Sequence, residues 1–350
     1  MGQTTDRLPN RSSIPVNPQS HPFHTLSLYA LSMVRFTVLA SGSKGNSTVV
    51  SGGHTRILVD AGLSCRELFR RVKLAGEEPE TLDAIIITHE HLDHIGGLAV
   101  TARKLRIPVY FTEATHRAWM RWINPRRHMT YAQWIEQCHR EAAARQAEAI
   151  ATGDDCDCDE SDSETASPDS SRSKREDPKP DPGWLPSVQY FQAGRPFQIG
   201  DISVSPFTIP HDASDPVGFV FQAEGVRMAL ATDLGYISPN VKAQLKGVDL
   251  LLLESNHDLE MLRDGPYPWS VKQRVLSRVG HLSNEAAADF LETSYDGQAT
   301  YVILGHLSES NNLPDLARVT AERALVGRAS LLANRLLLAG QHEPLAPISF

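Results

Sequence analysis

The segment Ile87-Thr88-His89-Glu90-His91-Leu92-Asp93-His94-Ile95-Gly96-Gly97 constrains this chain more than any other. Three histidines and an aspartate fall within six residues, after the apolar run Ala84-Ile85-Ile86-Ile87 and before a pair of glycines. Imidazoles and a carboxylate packed this densely at the end of a buried strand are costly unless something binds them. Their chemistry suits zinc, iron or manganese. His89 and His91 alternate along the chain and can face one ion, while the following turn brings Asp93 and His94 toward a second. The bland alternative, an exposed polar turn with chance histidines, loses ground as further motifs accumulate.

Around this segment, strand and helix patterns alternate. Period-two, β-branched runs predict strands at 34–39, 48–51 and 56–60, separated by a Gly/Ser/Asn turn at 41–47 and by Gly52-Gly53. A helix is expected at 66–74, a buried strand at 84–88, a helix at 97–105 and a strand at 109–111. Later strands are expected at 198–204, 217–223, 226–232, 250–254 and 300–304. Helices are expected at 284–293, capped by Ser283 or Asn284, and at 314–325, where Pro314 suits a first helical position. The mixture implies an α/β (α+β) class.

Composition separates this core from its appendages. Residues 1–32 are rich in Pro, Ser, Asn, Gln and His and read as a disordered tail, with Met33 a candidate start directly before the first strand. The expected domain runs over 33–350, interrupted at about 126–186 by a low-complexity acidic insertion. The net charge is −8, yet 13 acidic and 5 basic residues lie between Glu141 and Asp181, leaving 29 of each elsewhere. The remaining scaffold is near neutral, which excludes a strongly basic nucleic-acid coat but not a local groove. Cys65, Cys138, Cys156 and Cys158 follow no zinc or disulfide spacing, and no apolar run is long enough to span a bilayer. A cytoplasmic setting without membrane partners is the expectation. Trp119, Trp122 and Trp134 read as core or packing residues rather than a base-stacking platform.

The HxHxDH pattern after an apolar strand resembles the second signature of the metallo-β-lactamase superfamily. Four further motifs match in order: Asp60 before Ala61-Gly62, His211 before Asp212, Asp233 before Leu234-Gly235, and His306 after Val302-Ile303-Leu304-Gly305. The resemblance implies an αββα sandwich of two mixed β-sheets with outer helices and metals in a cleft at one edge. It implies His89, His91 and His211 on one ion and Asp93, His94 and His306 on another. Asp233 would bridge the two, and Asp60 would orient the histidines without touching an ion. The histidine found where the redox diiron branch carries Glu favours hydrolysis, with two divalent ions, Zn2+ or Mn2+, as cofactors.

Within the superfamily, Leu253-Glu254-Ser255-Asn256-His257-Asp258 and Gly280-His281-Leu282-Ser283-Asn284 are similar to the paired Glu and His of RNase Z-like phosphodiesterases. With residues 39–47 and Gly305-His306-Leu307-Ser308-Glu309-Ser310-Asn311-Asn312, they resemble the YycJ/WalJ family of bacterial metallo-hydrolases. That resemblance implies a nuclease, a 5′-to-3′ exonuclease on DNA associated with repair, with DNA favoured over RNA. It leaves room for a homodimer. Two cations ~3.5 to 4 Å apart would stabilise the phosphate and generate a bridging hydroxide that attacks phosphorus. His281, held by Glu254, would relay a proton to the leaving oxygen, so His281, Glu254 and Asp93 are the candidate catalytic residues. Ser41, Ser43, Lys44, Asn46, Ser308 and Asn311 are candidate substrate contacts, the first four as a seat for a terminal phosphate. The loop at 41–47 reads equally well as a plain hairpin turn. The alternatives are a small-molecule metallo-hydrolase of a cyclic or small phosphodiester, thioester or lactam, and a non-catalytic regulatory protein with a dimetal core.

Overall fold

The structure, a computed structural model, describes residues 1–2, 34–123, 182–326 and 335–350. Nearly all of the expected tail, the acidic insertion up to residue 181, Trp134, Cys138, Cys156 and Cys158 lie outside the described residues. The chain divides into units Met1–Ser32 and Met33–Phe350, and the architecture is that of the second. No helix among the described residues is long and apolar enough to cross a membrane.

Strands β1 (Arg35–Ala40), β2 (Ser47–Ser51), β3 (Arg56–Val59), β4 (Ala84–Ile86), β5 (Val109–Phe111) and β6 (Val188–Tyr190) build one sheet. A second sheet is built in sequence order from β7 (Phe197–Ile199), β8 (Ile202–Thr208), β9 (Val217–Ala223), β10 (Val226–Ala231), β11 (Leu250–Glu254), β12 (Tyr301–Gly305) and β13 (Arg335–Leu338). The last strand, β14 (Ile348–Ser349), returns to pair with β1 and completes a seven-stranded sheet. Both sheets are mixed. Antiparallel hairpins β1-β2-β3 and β7-β8-β9-β10 lead into parallel runs β3-β4-β5-β6 and β10-β11-β12-β13. The expected αββα sandwich is therefore present.

Period-two side-chain alternation explains the layers. Phe36, Val38, Ile57, Val59 and Ile86 face Phe219, Phe221, Met228, Leu250, Leu252 and Ile303 in the core between the sheets. Their neighbours Leu39, Leu58, Ile85 and Ile87 turn to the helices on one outer face, and Leu251, Leu253, Val302 and Leu304 to those on the other. The continuous apolar runs at 84–87 and 250–253 are thus strands buried on both sides, as parallel strands require.

The helices of the first half are α1 (Cys65–Leu74), α2 (Leu92–Ile95), α3 (Leu98–Leu105) and α4 (Glu113–Ile123). Those of the second half are α5 (Pro239–Gln244), α6 (Leu259–Asp264), α7 (Trp269–Val275), α8 (Asn284–Thr293) and α9 (Pro314–Leu325). Ser283 caps α8 by accepting from Ala286 N, and Pro314 opens α9. Trp119 is buried in the core behind α4, whereas Trp122 stands exposed. The strand expected at 198–204 is instead a hairpin. Gly200 adopts φ 56°, which lets β7 turn back onto β8.

Candidate metal centre

The site forms where the carboxyl ends of β3, β4, β10, β11 and β12 meet. Asp60 and His306 follow directly on a strand and Asp233 comes one residue later after β10, and all three take left-handed backbone conformations, with φ of 60°, 61° and 55°. Such conformations are uncommon outside glycine and mark a turn held by its surroundings. The segment carrying His91 to Ile95 folds over Gly62. A Cβ on Gly62 would lie 1.6 Å from Asp93 O, so only glycine admits this approach. Asn46 N donates to Asp93 O at 2.7 Å and Ala61 N to His94 O at 2.8 Å, locking the turn against the first hairpin.

Among the described residues, three overlapping groups of side chains could hold metal ions. His89, His91 and His211 form the first, Asp93, His94, Asp233 and His306 the second, and Asp233, Glu254, His281 and His306 a third that shares two members with the second. Hydrogen bonds set the tautomer of four imidazoles in these groups. His94 Nδ1 donates to Asp60 Oδ2 at 2.8 Å, His211 Nδ1 to Gly280 O at 3.1 Å, and His306 Nδ1 to Glu254 Oε1 at 2.9 Å. Thr88 Oγ1 donates to Asp60 Oδ2 at 2.9 Å and therefore accepts from His89 Nδ1 at 3.0 Å. In all four rings this leaves the Nε2 lone pair directed away from its anchor, as metal-binding histidines require.

The atoms left over fit a cation. His89 Nε2, Asp233 Oδ2, His306 Nε2 and Asp212 Oδ1 are buried without hydrogen-bond partners. His211 Nε2 faces His91 Nδ1 at 3.2 Å, two ring nitrogens that a shared cation would satisfy. Burial pushes the His89 pKa well below its ordinary range, so that ring is neutral and able to donate its lone pair. Burial also opposes charge on His94 and His306. The carboxylates around them outweigh it and raise both. The second group thus demands positive charge, which a divalent ion supplies in place of protons.

Glu254 lies behind the second group, fully buried at the end of β11. Its Oε1 accepts from His281 Nδ1 at 2.8 Å as well as from His306. Its Oε2 accepts from Leu234 N at 2.8 Å and Leu282 N at 3.2 Å. Burial raises its pKa, but the neighbouring imidazoles prevail and hold it at about 2. His281 shows the converse, with burial lowering it and Glu254 raising it above the ordinary imidazole value.

The expected substrate contacts divide. Ser43, Ser308 and Asn311 line the cleft beside His281 and His306. Ser41 is buried and its Oγ accepts from His306 N at 2.7 Å. Asn46 is buried too, donating to Asp93 Oδ2 at 3.1 Å and bonded to Gly42 in both directions. Lys44 pairs with Glu309 at 2.5 Å and lines a different cavity. Within the loop at 41–47, Ser41 and Asn46 therefore brace the centre, while Ser43 faces the cleft. Sequence reasoning missed Thr88, which ties His89 and Asp60 together, and whose only signal was its place before the first histidine. It also missed Tyr267 and Arg274 on the cleft wall, which no motif announced.

The sequence profile of the metallo-beta-lactamase superfamily matches residues 40–306. The chain belongs to the metallo-β-lactamase superfamily. It is 34% identical over 294 residues to a protein of Bacillus anthracis named exodeoxyribonuclease YycJ, covering 83% of this chain and 89% of that one. It is 32% identical over 286 residues to exodeoxyribonuclease WalJ of Streptococcus pneumoniae, covering 82% and 86%. The crystal structure of the metallo-beta-lactamase fold protein YhfI from Bacillus subtilis shares the fold, with a TM-score of 0.54 and 16% identity over 89% of this chain and 99% of that one. Family and side-chain clusters together point to divalent metal binding.

Proposed function

We propose that the chain is a metal-dependent phosphodiesterase acting on nucleic acid, an exonuclease that degrades DNA from the 5′ end in the cytoplasm, in the service of repair. The observation that carries this reading is the pairing of two adjacent ligand groups with the Glu254–His281 dyad at 2.8 Å, in one cleft. The two relatives named exodeoxyribonuclease, which cover more than four-fifths of the chain, support the choice of DNA. In this reading His89, His91 and His211 would hold one ion, zinc or manganese, and Asp93, His94 and His306 the other, with Asp233 available to both.

Bound there, divalent ions polarise a phosphate oxygen and make water nucleophilic near neutral pH. The chain's own groups do the rest. Asp60, Glu254 and the Gly280 carbonyl keep the imidazoles in one tautomer and orientation. His281 has its Nδ1–H engaged by Glu254, so Nε2 is the atom that presents a proton to the departing 3′ oxygen. General acid catalysis of this kind contributes ~10²- to 10⁴-fold. Ser43, Ser308 and Asn311 line the cleft where they can meet phosphate oxygens.

The test incubates metal-reconstituted protein with end-labelled single- and double-stranded DNA and RNA, beside Asp93→Ala. Metal-dependent shortening of DNA from the 5′ end, absent in the variant, is the expected result. Persistence of every polynucleotide would overturn the reading.

A further inference from the structure

With Lys44 turned away to Glu309, one question remains: what meets the charge of an incoming phosphate. The cleft holds about 410 Å³ and carries Asp93 and Asp233 on its floor. Arg274 is the single lysine or arginine among the described residues that line it. Its side chain is 60% exposed, and its Nε donates to Asp212. A guanidinium has five N–H donors in a planar fork, so the terminal nitrogens remain to take a second anion.

Arg274 belongs to a wall that is rigid and aromatic. Tyr267 and Val271 line the cleft beside it, and Trp269 next in line is 66% exposed. Pro266 and Pro268 flank Tyr267 and restrict the backbone that carries it. Lys272, on the same helix, points away from the cleft. Its Nζ donates to Arg263 O at 2.7 Å and Gly265 O at 2.8 Å, pinning α7 to α6. Asp212 N donates to Val279 O at 3.0 Å, so wall and ligand loop are also joined. A held cation, an aromatic ring on a proline-flanked backbone and a volume near the lower end for ligand pockets suit one nucleotide at a time.

We propose that the α7 wall is the nucleotide-recognition surface of the cleft, with Arg274 gripping a backbone phosphate of a single-stranded end and Tyr267 packing against the base or sugar beside it. This rests on the reading of the chain as a nucleic-acid phosphodiesterase. Arg274 acts on substrate here, and its bond to Asp212 aims the fork.

The experiment uses the full-length chain reconstituted with manganese and a fluorescein-labelled phosphorothioate oligothymidine, read by fluorescence anisotropy across a KCl series. Arg274→Ala should weaken binding about tenfold and flatten the slope of log Kd against log salt by about 0.7, the value for one lost phosphate contact on a single strand. Tyr267→Ala should weaken binding about tenfold with the slope unchanged, since stacking carries no counterion release. Arg263→Ala removes the same charge from a surface pair with Asp264 and should leave both readings alone. A wild-type slope in Arg274→Ala, or an equal loss in Arg263→Ala, overturns the proposal while the nuclease reading stands. Loss of bound manganese from Arg274→Ala also overturns it, because the arginine would then serve only Asp212 and His211. A wild-type protein that neither binds nor degrades any polynucleotide defeats both.

Discussion

Replacing Glu254 with glutamine exchanges one oxygen for a nitrogen where every acceptor is in use. Oε1 serves His281 and His306, and Oε2 serves Leu234 N and Leu282 N. An amide oxygen can cover one of these pairs, and its NH2 must face the other. Facing the two backbone N–H groups, the NH2 would strand buried donors at about 1–3 kcal/mol each, since a peptide N–H has no other tautomer. Facing the imidazoles it can be accommodated, but only if each Nδ1 becomes an acceptor and the proton moves to Nε2. His306 would then lose the lone pair it directs toward Asp93, His94 and Asp233. The expected outcome is a ~10- to 100-fold loss of affinity at that group, as for other partners of metal-binding histidines. Affinity at His89, His91 and His211 should be unchanged. Metal content after dialysis against graded chelator reads both sites. The carboxylate also gives acid sensitivity. Its pKa of about 2, depressed from an ordinary 4.5, contributes stability that is complete above 4.5 and lost as pH falls toward 2. The variant should lack that part of the acid transition. Wild-type affinity for both ions would refute the tautomer argument and leave Glu254 a partner of His281 alone.

Three further outcomes follow from the same geometry. His281→Ala should lose ~10²- to 10⁴-fold in turnover while keeping its full metal content, because the ring is anchored to Glu254 and the groups built on His89 and on Asp93 are complete without it. Metal analysis and single-turnover rates check this, and a loss of metal would make His281 a ligand. Gly62→Ala should destabilise by about 3 kcal/mol or more and impair metal binding, since its Cβ would sit 1.6 Å from Asp93 O. Thermal denaturation with and without metal measures both effects. Glu67→Gln should remove an acid-labile tie. Hydrogen bonds from Arg70 and Arg71 hold Glu67 at about 2, and Arg71 also bonds Leu39 O and Gln341 O. Glu67 is only partly buried, which leaves about 1 kcal/mol after screening. That increment is present above pH 4.5, fades toward pH 2, and should be missing from the variant's pH–stability curve.

Those parts of the fold with a strong period were legible in the sequence. The strands at 217–223 and 250–254 and the helices at 284–293 and 314–325 stand where side-chain alternation, a serine cap and a proline start predict them. The short helices α5, α6 and α7 have too few turns to show a face, and β13 and β14 owe their existence to pairing with β12 and β1 across long sequence distances. The same division holds in the site. His89, His91, Asp93 and His94 announce themselves by density, whereas Thr88 is tied to His89 and Asp60, and Arg274 to Asp212, by contacts that only the folded chain creates. Lys44 shows a contact that no local pattern announces. Its charge and glycine neighbours suggest a phosphate seat, and in the fold it pairs with Glu309, 265 positions away in sequence, at 2.5 Å.

The backbone at the strand ends explains why the five motifs take the residues they do. A chain leaving a parallel strand must turn sharply if its next side chain is to enter the cleft, and Asp60, Asp233 and His306 turn through left-handed conformations. Aspartate and histidine, with asparagine, tolerate that region better than other side chains, so ligand chemistry and backbone demand select the same residue types. The strain is of order 1–3 kcal/mol per residue. It is offset at Asp60 by bonds from Thr88 N, Thr88 Oγ1 and His94 Nδ1. At His306 it is offset by Ser41 Oγ on the backbone N–H and Glu254 on the ring. At Asp233, Oδ2 is buried with no hydrogen-bond partner, and the carboxylate is met only by imidazoles, His94 Nε2 at 3.3 Å and His306 Nδ1 at 3.2 Å. Strain there is not offset by hydrogen bonds of the kind that hold Asp60, so a bound cation would be its main compensation. Metal removal should therefore loosen the turn after β10 before those after β3 and β12. Hydrogen exchange at Leu234 and Gly235, compared with Ala61 and Leu307 in metal-loaded and chelated protein, would show it. Equal loss of protection at all three turns would contradict the ordering.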